Sequence, residues 1–319
     1  MNMRDRVIFI LLFAALAAGC GNRNGVEQFK ALPFPDTAPP GMMTDGNDIA
    51  EYMAVNYWNG ITDPSRAYPS DSLLVSGVLK EDVEQKFADW TMILEMVSPE
   101  TADKAVGRLY DRAAACERKD TSSNVFETFT SLAYKYLYDP NSPLRNEDHY
   151  HSYVRRLASF EGIPPEMKGK YEFDARMTGM NRTGTVAADF RFSDKSGRMN
   201  TLHGIKAPLT LLFFSNPGCE ACMNIIQVLK GDQKISVMIS QGRLAVLNIY
   251  IDEDLQAWRE YMPIYPEEWY NGFDPDLVIR TDNLYNVRAI PSLYLLDSDK
   301  RVIMKDAPEN KVFNYLNNL

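Results

Sequence analysis

The chain has 319 residues, of which 45% are hydrophobic and 24% are charged. This length suits two domains of ordinary size, and the composition is that of a folded globular protein. The net charge of −9 argues against nucleic acid as a partner, because binding phosphates needs a basic surface. Four cysteines, at positions 20, 116, 219 and 222, are too few for a disulfide-stapled scaffold.

The N-terminus has the pattern of a secretory signal peptide. Basic residues precede an apolar stretch from Val7 to Ala18, which is shorter than the ~20 residues that span a bilayer. The segment Leu16-Ala17-Ala18-Gly19-Cys20 resembles the lipobox of bacterial lipoproteins. That resemblance implies a signal peptide at 1–19 and a lipid anchor at Cys20. An ordinary signal peptide with an incidental cysteine, or an uncleaved anchor, is the alternative.

Residues 20–44 predict an extended tether, because the segment is polar and then rich in proline. From 45 to 178 the apolar spacing predicts an all-helical domain without strands. Ser98 as N-cap and Pro99 in the first turn predict one helix start. The predicted helices are Glu81–Val97, Pro99–Cys116, Val125–Tyr138, Asn146–Phe160 and Pro164–Met177.

Residues 181–319 change to strands that alternate with helices, which predicts an α/β domain. The predicted fold class is therefore α plus α/β. A hairpin turns near Gly197, and Leu209–Ser215 is a continuous apolar run, as in a strand that is buried on both faces. The further predicted elements are a helix at Met223–Leu229, a strand at Leu244–Ile251, a hairpin of Ser292–Leu296 and Val302–Met304, and a closing helix at Val312–Leu319.

The motif Cys219-Glu220-Ala221-Cys222 follows the buried strand and opens a helix. Half of a zinc site would have this spacing, but a zinc site needs a second ligand pair, and we find none. His149 and His151 do not share a helix face, which favours a solvated helix start over a metal site. We therefore predict redox chemistry and no metal. The helix N-terminus would stabilise a thiolate at Cys219, and Cys222 would resolve a mixed disulfide.

A proline stands directly before the later apolar strand, in Ala289-Ile290-Pro291-Ser292. With the redox motif and its strand, this arrangement resembles the thioredoxin superfamily. The resemblance implies a central mixed sheet and a cis Ile290-Pro291 bond beside the cysteines, where the preceding backbone pairs with substrate. A trans proline at a strand start is the alternative.

Within the superfamily, the stretch from Gly184 through Ala187-Ala188-Asp189-Phe190 to the cysteines looks most like the TlpA/ResA type. This resemblance covers residues 181–319 and implies a thiol–disulfide oxidoreductase outside the cytoplasm that needs no prosthetic group. Gly218 replaces the usual tryptophan, and Phe213 replaces a buried acid. Glu220 either takes over proton handling or is a solvated first-turn residue. The helical part resembles a domain of unknown function in bacterial envelope lipoproteins, through Tyr52–Trp58 and Tyr136–Glu147.

The expected function is exchange or reduction of disulfides in envelope proteins, with a membrane or periplasmic thiol reductant as second partner. The acidic Glu220 disfavours the thiolate and so favours reduction. The expected location is the bacterial cell envelope, lipid-anchored with the soluble part in the periplasm. The alternative is a non-catalytic binding lipoprotein with a thioredoxin fold. Cys116 is expected to be a buried inert thiol, and Trp269 and Tyr270 line a substrate groove or pack locally.

Overall fold

The computed structural model describes residues 30–66, 68 and 72–319. The expected signal peptide, Cys20 and the first part of the expected tether lie outside the described residues. The N-terminal part of the fold is mainly helical, and we call its described residues up to Thr178 the helical half. Residues 181–319 form the α/β half.

The helical half packs its helices around an aromatic core. Trp58 lies at its centre, with its ring 4.8 Å from that of Phe129 and 5.8 Å from that of Trp90. The helices are α1 (Gly46–Asn56), α2 (Lys80–Leu94), α3 (Pro99–Lys119), α4 (Val125–Ala133), α5 (Glu147–Leu157) and α6 (Pro165–Thr178). Ser98 caps α3 as expected, since its side chain accepts a hydrogen bond from the Thr101 amide.

A small hairpin corrects the expectation that this half has no strands. Strands β1 (Leu74–Val75) and β2 (Val78–Leu79) pair antiparallel. The turn between them places Ser76 at φ 49° and Gly77 at φ 82°. Two-residue strands carry no alternating pattern, so the periodicity that predicts strands could not detect them. The hairpin is fixed instead by its turn and by burial of its valines.

The expected helix Val125–Tyr138 is also not uniform. After α4 the chain continues as a π-helix, Tyr134–Tyr138, in which the backbone hydrogen bonds span one more residue. Apolar spacing cannot distinguish that local widening from an ordinary helical turn.

The α/β half is built on a seven-stranded mixed sheet with the order β4-β3-β7-β6-β5-β8-β9. Strands β5, β6 and β7 are parallel to one another, and the other pairings are antiparallel. The strands are β3 (Arg191–Asp194), β4 (Met199–Thr201), β5 (Leu209–Phe214), β6 (Leu244–Tyr250), β7 (Tyr270–Phe273), β8 (Ser292–Leu296) and β9 (Val302–Met304). The predicted fold class, α plus α/β, is confirmed.

Helices cover both faces of this sheet. Side chains alternate along β5, so that Leu211 and Phe213 join one buried cluster while Leu212 and Phe214 join the other. The helices are α7 (Glu220–Gly231), α8 (Gln233–Ser240), α9 (Leu255–Tyr261), α10 (Val278–Thr281) and α11 (Glu309–Asn317). The first cluster includes Cys222 of α7, which places the motif on that face.

Four elements of this half were not expected from the sequence: α8, α9, α10 and β7. Strand β7 contains Asn271 and Gly272, which are poor strand formers. It forms because β6 pairs with one of its edges and β3 with the other. Within the described part of the chain, the helices are all too short or too polar to cross a membrane.

Candidate redox site

Cys219 and Cys222 form a disulfide at the start of α7, with their Cα atoms 5.2 Å apart. Cys219 is the N-cap residue, and its sulfur accepts a hydrogen bond from the Cys222 amide at 3.1 Å. Cys219 is half-buried, whereas Cys222 is 2% exposed. An attacking substrate can therefore reach the first sulfur more easily than the second. On reduction, the helix N-terminus would favour the thiolate at Cys219.

Gly218 gives the loop before Cys219 a backbone conformation that other residues rarely adopt. Its φ is +73°, and a Cβ added there would meet no atom within 4 Å. A Cβ would therefore fit the space, and the backbone conformation is what favours glycine over another residue here. The loop is exposed at this point and leaves the Cys219 side open.

The Ile290-Pro291 peptide bond is cis. Strand β8 begins at the next residue, Ser292, which pairs with Phe214 at the end of β5. Because the loop to Cys219 starts just after Phe214, the sheet register brings the cis proline and the cysteine loop to the same edge. Ile290 also packs against the buried cluster that contains both cysteines.

The position that holds an acid in many thioredoxins is fully apolar, since Phe213 is completely buried in β5. The next side chain on the same face is Ser215, which donates a hydrogen bond to Asn248 Oδ1. Asn248 donates to Asn271 Oδ1 at 3.1 Å, and the Tyr265 hydroxyl lies 3.5 Å from Ser215 Oγ. Burial raises the pKa of Tyr265, so its hydroxyl stays protonated at neutral pH.

This polar chain was not expected from the sequence. Its one visible signal is Asn248, an amide inside the apolar run Leu244–Ile251, where it needs buried partners. Ser215 and Asn271 gain their role only when β5, β6 and β7 are placed side by side. These hydrogen-bonded side chains bring hydroxyl and amide groups to the face of the sheet that carries the cysteines. Phe213, on the same face, has no polar group.

Glu220 is exposed in the first turn of α7, next to Cys219. That position is favourable for an acid, because it faces the positive end of the helix dipole. Its role in proton handling stays a prediction.

In the part of the chain that the structure describes, the other residues singled out in the sequence make no bond to the two cysteines. Cys116 is buried, as expected, and burial raises the pKa of its thiol. Trp269 packs in the core, while Tyr270 is 44% exposed on β7. Both line a cavity of about 520 Å³ beside β3 and α9.

The expectation of a solvated start for α5 was wrong for the histidines. His149 has a largely buried side chain, and His151 is half-buried with Nδ1 3.0 Å from Thr178 Oγ1. His151 faces Thr178 at the end of α6, and His149 lies beside Glu95, which follows α2. Among the described residues, no group of three or more histidine, cysteine and acidic side chains is arranged to hold a metal ion.

The family model that matches this chain ends where the helical half ends. A sequence profile of a domain of unknown function, DUF5106, matches residues 20–178. A thioredoxin-like protein from Bacteroides caccae is 34% identical with a TM-score of 0.78, over 91% of this chain and 99% of that one. Among the curated proteins, no match to the chain is found.

Two further solved structures match less than half of this chain. The C-terminal domain of an uncharacterized protein from Bacteroides fragilis is 46% identical, with a TM-score of 0.42, over 43% of this chain and 98% of that one. A thiol:disulfide interchange protein from a Bacteroides species is 19% identical, with a TM-score of 0.37, over 44% of this chain and 91% of that one. The Bacteroides caccae structure is similar to both halves together.

Proposed function

We propose a thiol–disulfide oxidoreductase, because the chain belongs to the thioredoxin-like protein family of its Bacteroides caccae relative and carries a disulfide at a helix N-terminus. The observation that carries the proposal is the unequal exposure of two bonded cysteines beside a cis proline. An accessible first sulfur and a shielded second one suit stepwise exchange.

In the proposed reaction, the reduced protein transfers two electrons to a substrate disulfide. The Cys219 thiolate attacks one substrate sulfur, which breaks the substrate S–S bond and releases one thiolate. Cys222 then loses its proton and attacks Cys219, which releases the second substrate thiol and closes the Cys219–Cys222 bond. A thiol reductant of the membrane or periplasm reopens that bond. The acidic Glu220 favours this reducing direction over oxidation.

The Ile290-Pro291 step has a supporting part in this reaction. Its backbone lies at the sheet edge that also carries the cysteine loop, so a bound substrate strand can pair there during attack. The candidate groups for proton handling are the exposed Glu220 carboxylate and the buried Ser215–Asn248 pair.

The proposed setting is the bacterial cell envelope. The lipobox-like sequence supports lipidation at Cys20 after removal of 1–19, with the folded part in the periplasm. The substrates would then be envelope proteins that contain disulfides. An envelope location favours assignment of the α/β half to the TlpA/ResA type of thioredoxin-like proteins.

The test is reduction of insulin by dithiothreitol with the wild-type protein and single cysteine variants. Cys219→Ser should abolish turnover, because the attacking sulfur is gone. Cys222→Ser should also lose turnover but should accumulate a covalent adduct with substrate, visible by mass spectrometry. Cys116→Ser is the control and should keep wild-type activity. Activity retained in both active-site variants would overturn the proposal and favour a non-catalytic binding lipoprotein.

A further inference from the structure

Glu147 is an acid of the helical half whose partners all belong to the α/β half. It is the first residue of α5 and is 1% exposed. Its Oε1 accepts hydrogen bonds from Asn286 at 2.8 Å and from Arg288 at 2.9 Å. Lys305 Nζ lies 2.9 Å from its Oε2. Burial raises the pKa of the Glu147 carboxyl, whereas the two cations favour its charged form.

Glu147 is linked through Arg288 and Asp306 to the residues on both sides of the cis proline. Arg288 precedes Ile290 and Pro291, and its Nη2 donates to Asp306 Oδ2 at 2.5 Å. The other oxygen of Asp306 accepts from Ser292 Oγ at 2.7 Å. Arg288 and Ser292 flank the proline step, so one carboxylate, that of Asp306, joins the two ends of this segment.

A second charged residue of the helical half, Arg145, binds the backbone at Asp306. Arg145 donates from Nε to the Asp306 carbonyl at 2.9 Å and from Nη2 to the Ala307 carbonyl at 3.1 Å. The Arg288 guanidinium also lies over the Tyr138 ring, 4.1 Å from its centre. The helical half therefore contacts the proline segment directly through Glu147 and Tyr138, and Arg145 binds the backbone next to Asp306, the acid that joins the two ends of the segment.

Glu147 supplies one of only two acids in this contact. Three buried or nearly buried cations, Arg145, Arg288 and Lys305, share two acids. Removing one partner of a buried ion pair leaves an uncompensated charge, which is far more disruptive than losing a surface pair. The two acids are Glu147 and Asp306.

We propose that Glu147 is a positioning residue for the redox site, through which the helical half holds Asn286–Ser292 in the conformation that receives substrate. This inference rests on the proposed oxidoreductase function and gives the helical half a part in it. Glu147 does not touch the disulfide, so it acts on substrate binding and leaves the reactivity of Cys219 alone.

The test compares Glu147→Gln with the wild type in disulfide reduction. Glutamine keeps the shape and one acceptor oxygen but removes the charge that faces Lys305. The KM for insulin should rise and kcat/KM should fall roughly ten- to a hundredfold, the range expected when a positioning contact is displaced. The alkylation rate of reduced Cys219 with iodoacetamide should stay within about twofold of the wild type. Equal KM values in the variant and the wild type would overturn the proposal.

Two further variants make the test decisive. Arg288→Lys keeps a cation beside Glu147 but lacks the planar fork that also reaches Asp306, and it should raise KM in the same way. Glu95→Gln is the matched control, because Glu95 also joins the halves, through Lys311, but its side-chain partners Asn146, His149 and Lys311 all lie outside Asn286–Ser292. Glu95→Gln should leave KM unchanged. A rise in KM as large as that of Glu147→Gln would show that any lost contact between the halves is enough, and would overturn the specific role.

Hydrogen exchange separates failure of this inference from failure of the proposed function. In Glu147→Gln, the backbone amides of Asn286–Ile290 and Ser292 should exchange at least about tenfold faster, while those of α7 keep their rates. If the wild type fails to reduce insulin and these rates still change, the function is wrong and the positioning contact is real. Unchanged exchange at these amides would count against the positioning role, whatever the activity.

Discussion

Glycines at Gly218 and Gly272 are required for different physical reasons. At Gly218 the space is open and only the positive φ disfavours another residue. At Gly272 an added Cβ would lie 2.6 Å from the Phe192 ring and 2.9 Å from the Ser193 carbonyl oxygen. A substitution at Gly218 therefore tests the effect of backbone conformation, and one at Gly272 tests the close packing between β7 and β3.

We expect Gly218→Ala to lower the free energy of unfolding by about 1 kcal/mol, because the left-handed conformation costs an alanine roughly that much. Gly272→Ala should cost more, up to about 3 kcal/mol, because neither the ring nor the strand backbone can move away freely. Urea unfolding followed by tryptophan fluorescence measures both. Equal losses in the two variants would contradict this assignment.

At the scale of single residues, local sequence was informative where chemistry is local. The cysteine pair and the proline could be read from motif and spacing, and the N-cap at Ser98 from residue type alone. The Ser215–Asn248–Asn271 chain and the Glu147–Arg288 pair could not, because their members meet only through tertiary contacts.

Helix α5 contains a histidine, His151, whose protonation should make the stability of the protein depend on pH. Burial lowers the pKa of His151 to about 4, and the cations Arg182, Arg155 and Lys305 add to the effect, while Asp148 opposes it. The Thr178 hydroxyl donates to the Asp174 carbonyl, so the neutral histidine donates from Nδ1 to Thr178. The folded protein therefore binds a proton at His151 less readily than the unfolded chain does.

The sign of the pH dependence follows directly. An unfolded histidine titrates near ~6.5, so the stability associated with neutral His151 is fully present above that pH and is lost progressively between about 6.5 and 4. His151→Gln can keep the contact with Thr178 without titrating. We expect the variant to lose less unfolding free energy than the wild type between pH 7 and pH 5, as measured in urea. Parallel losses would contradict the assignment, and His149, whose pKa burial also lowers, would then be the next candidate.

At the scale of elements, the sequence predicted those whose apolar pattern is long. The helices α2 to α6 and the strands β5, β6 and β8 have such patterns, and they lie close to the expected ranges. The β1–β2 hairpin and β7 are short, and β7 depends on two neighbouring strands for its pairing. Their sequences alone contain too few residues in register to distinguish a strand from a loop.

At the scale of the whole molecule, the two halves are joined at a second place besides Glu147. Lys305 donates to the carbonyl oxygens of Thr178 and Met180, where the helical half passes into the α/β half. Lys305, a residue of the α/β half, thus supplies hydrogen bonds to backbone carbonyl groups at the end of α6. Both contacts involve Lys305, which follows β9, so the helical half packs against the C-terminal part of the α/β half.

A lipid anchor at Cys20, as proposed, would decide where the folded part of the protein works. We expect the wild type to incorporate a fatty-acid probe in a bacterial host and to fractionate with membranes, since each buried methylene is worth about 0.8 kcal/mol. Cys20→Ala should lose both the label and the membrane association. A wild-type protein that is unlabelled and fully soluble would contradict lipidation at this residue.

The separation in sequence between Glu147 and its partners has a consequence for how the chain is made. Asn286 and Arg288 follow it by 139 and 141 residues. A ribosome adding roughly 5–20 residues per second needs on the order of ten seconds to reach them. Throughout that delay the carboxylate must keep its water, because burying it unpaired costs several kcal/mol. The helical half is therefore the first to be synthesised, yet it can close its last surface only after the final strands have emerged.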